Sequence, residues 1–145
     1  MIKNKFCVLV LDGQGGGLGA RLVKLLKPVI TVGCELLCVG TNVLATNAML
    51  KAGAGQVATG ENAVIYNAGR ADLILGPVGI VQANGILGEV SPAMAVAVSG
   101  SDAVKIIIPS SNCDIYVAGT ESCRLDEYLR RAVEMVQQQL AAAGQ

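Results

Sequence analysis

A chain of 145 residues has room for one well-buried core, and the expectation is a single domain over residues 1–145 with no separate substrate domain. Charged residues make up only 15%, against about 25% in an ordinary soluble protein, and the net charge is zero, which excludes electrostatic recruitment of nucleic acid. Aromatic residues are 3%, so base-stacking platforms are excluded too, and every apolar run is too short to span a bilayer.

Strand one is expected over residues 5–11, and from Phe6 it is continuously apolar and not alternating, as in a strand covered on both faces. It stops at Asp12, too soon for a secretory signal, so the reading is a cytoplasmic protein. Cys7, Cys34, Cys38, Cys113 and Cys123 include no C-x-x-C pair and read as reduced thiols. The chain has no histidine, so no metal site is expected and a Cys–His nucleophile is impossible.

Five glycines then fall within seven residues: Gly13, Gly15, Gly16, Gly17 and Gly19, interleaved with Gln14 and Leu18. A helix over residues 17–27 follows, with Leu18, Leu22, Leu25 and Leu26 as its buried stripe and Pro28 as its stop. Strand, glycine loop and helix N-terminus together make a phosphate-sized cradle, because glycine lets a ligand approach the backbone and the helix end favours an anion. The spacing Gly15-x-Gly17-x-x-Ala20 is the alanine variant of the dinucleotide fingerprint. A P-loop is excluded, because no G-x-x-x-x-G-K-[ST] occurs. The candidate ligand contacts are therefore residues 13–19, with NAD or NADP as the cofactor class. Asp12 beside the loop reads as a turn or cap residue.

Strand two spans residues 35–39. Its tip carries Thr41 and Asn42 where a Rossmann unit meets the adenosine ribose, yet no acid stands there. Asn42 doubles as a helix cap. Helix two covers residues 43–52, with Leu44, Ala48 and Met49 inward, and strand three covers 56–59. Asn62 after it is a candidate adenine contact or a cap for a helix over 63–68. Strand four, residues 72–75, leads into Gly76 and Pro77 at the same edge, two further candidate contacts. In the glycine-rich segment 79–90, Gln82, Asn84 and Glu89 are the polar residues placed to face a ligand. Ser91-Pro92 starts a helix over 92–99. Strand five is residues 104–108, a sixth strand is expected at 115–118, and a last helix runs over 122–142 with a Glu127–Arg131 pair on its wet side. Acid–base chemistry would have to come from Asp12, Glu61, Glu89 or Asp114.

Alternating strands and helices argue for a Rossmann-like, doubly wound parallel sheet in a three-layer sandwich, with six strands in the order 3-2-1-4-5-6. The carboxyl-edge loops, including Ser110, then converge on one crevice. The low charge argues for a homodimer or homotetramer.

The stretches Asp12-Gly13-Gln14-Gly15-Gly16-Gly17, Gly40-Thr41-Asn42, Ala48 to Ala54, Thr59-Gly60-Glu61-Asn62 and Gly76-Pro77-Val78-Gly79-Ile80 resemble a family of small uncharacterised bacterial proteins. That family is described as a domain of unknown function with a Rossmann-like fold. The resemblance spans residues 5–136 and implies the fold, not a chemistry. Gly13-x-x-x-Gly17-x-Gly19 is also similar to the loop of short-chain dehydrogenases, over the first strand, loop and helix only. The catalytic Tyr-x-x-x-Lys of that family is not matched, since Arg70, Thr120 and Ala132 stand four residues after Tyr66, Tyr116 and Tyr128. Three readings follow: a nucleotide-binding module, sensor or regulatory subunit; a small enzyme, either a reductase or one acting on a phosphorylated metabolite; or an oligomeric scaffold whose glycine loop is structural.

Overall fold

Period-two geometry sends successive side chains of a strand to opposite faces, so a strand apolar at every position demands cover on both sides. The first strand meets that demand in the computed structural model, which describes residues 5–109, 114–120 and 123–145. In β1 (Phe6–Asp12), Val8 and Val10 point into one core, and Cys7, Leu9 and Leu11 into the other. The remaining strands are β2 (Cys34–Gly40), β3 (Gln56–Thr59), β4 (Leu73–Pro77) and β5 (Val104–Ile108). All pairs are parallel and the order is β3-β2-β1-β4-β5.

Helices cover both faces, giving a Rossmann-like three-layer arrangement. On one face lie α1 (Gly17–Leu26), α2 (Val43–Lys51) and α5 (Leu125–Ala142), which supply Leu22, Val23 and Leu26, then Met49, then Leu129, Val136 and Leu140. On the other lie α3 (Glu61–Ala68) and α4 (Pro92–Ser99), with Val64, Met94 and Val98 in the core. Asn42 caps α2 by accepting the Ala45 N–H at 2.9 Å, and Ser91 caps α4 through the Met94 N–H at 3.2 Å. On the wet side of α5, Glu127 accepts from Arg131 and Arg130, and these hydrogen bonds hold its carboxyl down at about 2.

Some expectations need correction. Residues 115–118 are no sixth strand: they are exposed, without strand pairing, and end in a turn. Only residues 109–114 separate them from β5, whereas a parallel crossover needs about a dozen residues or more. In α1, Leu25 is exposed and Val23 takes the inward place. In α2, Leu44 is 71% exposed, while Ala45 and Met49 face inward. The short third helix starts at Glu61, so Asn62 lies inside its first turn and Gly60 holds the cap position. Gly76 and Pro77 belong to β4 itself, paired with Ile107 and Ile108. Ser110, Cys113 and Ser122 lie outside the described residues.

Candidate functional site

The register sets the carboxyl ends of β1 and β2 level, Asp12 beside Gly40, and those of β2 and β3, Gly40 beside Thr59. Pro77 of β4 likewise sits beside Ile108 of β5. The loops that leave these ends therefore share one edge, and the order of strands reverses between β1 and β4, where open α/β sheets hold their ligands.

Asp12 opens the glycine loop and is itself tied beneath it. Its carboxylate accepts the N–H of Gly13 at 2.8 Å and of Gly19 at 2.7 Å. Gly19 lies in the first turn of α1, so this bond uses one of the helix's unpaired donors. Burial pushes the Asp12 carboxyl above its usual range; the two N–H bonds oppose that push, and the nearby Glu89 charge adds to it. The chain turns through Gln14 and Gly16 at φ 49° and 72°. A Cβ on Gly16 would meet the Ala45 backbone at 2.7 Å, so this glycine is required by packing as well as by its left-handed backbone.

Gly15 and Gly17 differ. Neither has a positive φ, and a Cβ on either would meet nothing within 4 Å. Both line a cavity of about 610 Å³ between the loop and the chain beyond β4, whose walls include Leu18, Pro77, Gln82, Asn84 and Asp114. That volume is in the range of small-molecule sites. Among the described residues, no chain acceptor takes the N–H of Gly15, Gly17 or Leu18. They are donors at a helix N-terminus, a position that favours an anion.

The far wall is the segment 78–90. It begins as a 3-10 turn, Val78–Val81, and seats Ile80 and Val90 in the core. Asn84, Ile86, Leu87 and Gly88 all have positive φ, at 62°, 54°, 53° and 86°. For the β-branched Ile86 this is a true outlier, and each such residue costs on the order of 1–2 kcal/mol unless its surroundings enforce it. The Ile86 side chain packs beside Gly13 and Gly79, which leave room for it. Leu87 is 92% exposed at the cavity mouth.

This run delivers Glu89 to the tip of β2. Its Oε1 accepts from Thr41 Oγ1 at 2.7 Å, Asn42 Nδ2 at 2.5 Å and the Gln14 N–H at 3.0 Å; among the described residues, Oε2 has only the Gln14 N–H at 3.3 Å. Burial works against the charged form, but the bonds from Thr41, Asn42 and Gln14 outweigh it and hold the carboxyl below its ordinary value. Asn42 also donates to the Gln14 carbonyl at 2.9 Å.

Most of the residues singled out in the sequence gather here. Residues 13–18 and Pro77 line the cavity, with Gln82 and Asn84. Thr41, Asn42 and Glu89 stand on the β2 side of the loop. Those three stand outside the cavity wall, and three more residues lie apart from it altogether. Gly19 is buried in α1 against Asp12 and Met49; Gly76 lies against the Leu11 carbonyl; Asn62 is exposed on α3. Of the other carboxylates named for acid–base work, Glu61 lies on α3 and accepts from Ser91 Oγ at 2.5 Å. The sequence offers no local sign that Glu89 meets Thr41 and Asn42, because 47 residues separate it from Asn42. Among the described residues, no group of three His, Cys, Asp or Glu side chains is placed to hold a metal ion, and no helix is long and apolar enough to cross a membrane.

The model of one family, described as a domain of unknown function, DUF3842, matches residues 7–141. The chain belongs to the DUF3842 family. No curated protein matches it. Among solved structures, this DUF3842 chain is similar to a dodecameric FMN-dependent UbiX-like decarboxylase from Escherichia coli O157:H7, at 15% identity and a TM-score of 0.52, over 93% of this chain and 94% of that one. It also matches a putative alcohol dehydrogenase from Thermotoga maritima at 17% identity and a TM-score of 0.48, over 94% of this chain but 38% of that longer one. At these identities the likeness to the decarboxylase concerns the fold.

Proposed function

We propose that this DUF3842 protein is a nucleotide-binding module that holds the phosphate of an NAD- or NADP-type dinucleotide on residues 13–18, with a sensing or regulatory role. One observation carries the reading. Gly15 and Gly17 are glycines that nothing among the described residues requires, and both line a cavity that a side chain would enter. Unpaired N–H groups at the start of α1 are suited to a phosphate there. Asp12 also lines the cavity, with one carboxylate oxygen accepting the Gly13 N–H and the other the Gly19 N–H.

The binding reading is favoured over a reductase by the side chains around the cavity. Tyr66 carries the Arg70 guanidinium 5.2 Å above its ring, on α3 and away from the cavity. Cys38 is buried, and burial pushes its thiol up to about 12, far from a nucleophile's range. We further read the protein as cytoplasmic and as a homodimer or homotetramer, which would cover exposed apolar side chains such as Val43, Leu44 and Val96.

Isothermal calorimetry with NAD, NADP, FAD, FMN and ATP tests the site. Wild type is expected to bind at least one of them, and Gly15→Val and Gly17→Val are expected to lose binding while their thermal melts stay close to wild type. Absence of any binding by wild type at millimolar ligand would sink the proposal.

A further inference from the structure

We infer that Glu89 is the residue that reads the sugar: its carboxylate accepts a ribose 2′-hydroxyl and turns away a nucleotide bearing a 2′-phosphate. The inference rests on the nucleotide reading above and names the ligand class more narrowly, as a nucleotide with an unmodified ribose.

In a Rossmann unit an acid near the end of the second strand holds the adenosine ribose. Here that tip ends Gly40-Thr41-Asn42, with no acid in the local sequence. Tertiary structure brings one in from segment 78–90. Glu89 is fixed by Thr41 Oγ1 and Asn42 Nδ2, both from the β2 tip, and by the Gln14 N–H of the glycine loop. These three donors converge on Oε1. Oε2 has one long contact of 3.3 Å, which leaves it lone pairs for a hydroxyl. The carboxylate is thus held in place without being saturated.

Its position relative to the cradle also fits a nucleotide. Gln14 gives its N–H to Glu89, while the next free donors, Gly15, Gly17 and Leu18, face the cavity. Glu89 itself stands outside the cavity wall and meets the loop at Gln14, so a phosphate on residues 15–18 and a ribose on Glu89 would be joined across Gln14. Among the described residues, no Lys or Arg forms an ion pair with Glu89, so its charge is not neutralised in that way. A 2′-phosphate placed beside it would meet an uncompensated negative charge. The run of left-handed residues before Glu89 is the conformation that delivers this carboxylate to the loop.

The experiment is calorimetry of the intact protein with NAD, NADP, ADP and 2′-deoxy-ADP, for wild type and Glu89→Gln. Wild type is expected to bind NAD at least ~10-fold more tightly than NADP, and ADP about 5- to 10-fold more tightly than 2′-deoxy-ADP. In Glu89→Gln, which keeps the size but removes the charge, the NAD-to-NADP ratio should shrink to within about threefold. Equal binding of NAD and NADP by wild type, or a ratio that survives Glu89→Gln, overturns the inference. The wild-type comparison decides alone if the variant does not fold. Binding of FMN but of no adenine nucleotide overturns this inference and leaves the phosphate cradle standing; no binding of any nucleotide overturns both.

Discussion

Asp12 and Glu89 are two carboxylates bonded to one loop, and their environments push their titrations in opposite directions. Glu89 has a lowered folded value, so it contributes stability above its ordinary 4.5, and that contribution disappears as the pH falls through the lower folded value. Asp12 has a raised folded value, so it contributes the opposite slope, with stability falling as the pH rises from its ordinary 3.8 through the folded value. Urea unfolding of wild type and Glu89→Gln across the acid range should show a stability gap above pH 4.5 that closes on acidification. A gap that widens in acid would show that Glu89 does not act through its charge. Asp12→Ala leaves the Gly13 and Gly19 N–H groups without their acceptor, and should cost on the order of 2 kcal/mol in the same measurement.

The glycine loop and the segment 78–90 are built on different terms. The loop is locked to α2 through Gly16, so Gly16→Ala combines a left-handed alanine with a clash at Ala45 and should lose about 2 kcal/mol or more. Segment 78–90 instead carries its strain on side chains that glycine or asparagine would tolerate better. Leu87 is exposed and left-handed, so Leu87→Asn sacrifices no core packing and relieves backbone strain. We expect it to raise the melting temperature by about 2–4 °C. If the melt falls instead, Leu87 makes a stabilising contact, for which a second copy of the chain is the first candidate.

At the scale of the whole molecule, sheet topology places the loop, the β2 tip and segment 78–90 on one edge. Apart from Leu87, exposed apolar residues include Val43, Leu44 and Leu50 on α2 and Val96 on α4. Burial of those faces between copies would give a mass of two or four chains by light scattering after gel filtration. A single-chain mass that persists on dilution would show that these side chains are tolerated in water.

The sequence by itself determined the elements whose signals are local. The continuous apolar run of β1 dictated two covered faces, the Ser91-Pro92 pair placed the start of α4, and five clustered glycines marked the loop. Residues 56–59, 92–99 and 104–108 form the expected elements within the same bounds. Signals of helical period misled where two faces compete, as for Leu25 and Leu44, because periodicity says that a stripe exists and packing decides which stripe is used. The apolar run 115–118 looked like a strand because β-propensity is local, whereas a parallel partner needs a crossover long enough to reach it. Only the tertiary structure decided which glycines answer to the chain and which to empty space, since that depends on what a Cβ would meet. It alone decided the place of Glu89 as well, because this carboxylate reaches the β2 tip from the other side of the sheet's switch point, through a strained turn that carries no pairing signal in its residues.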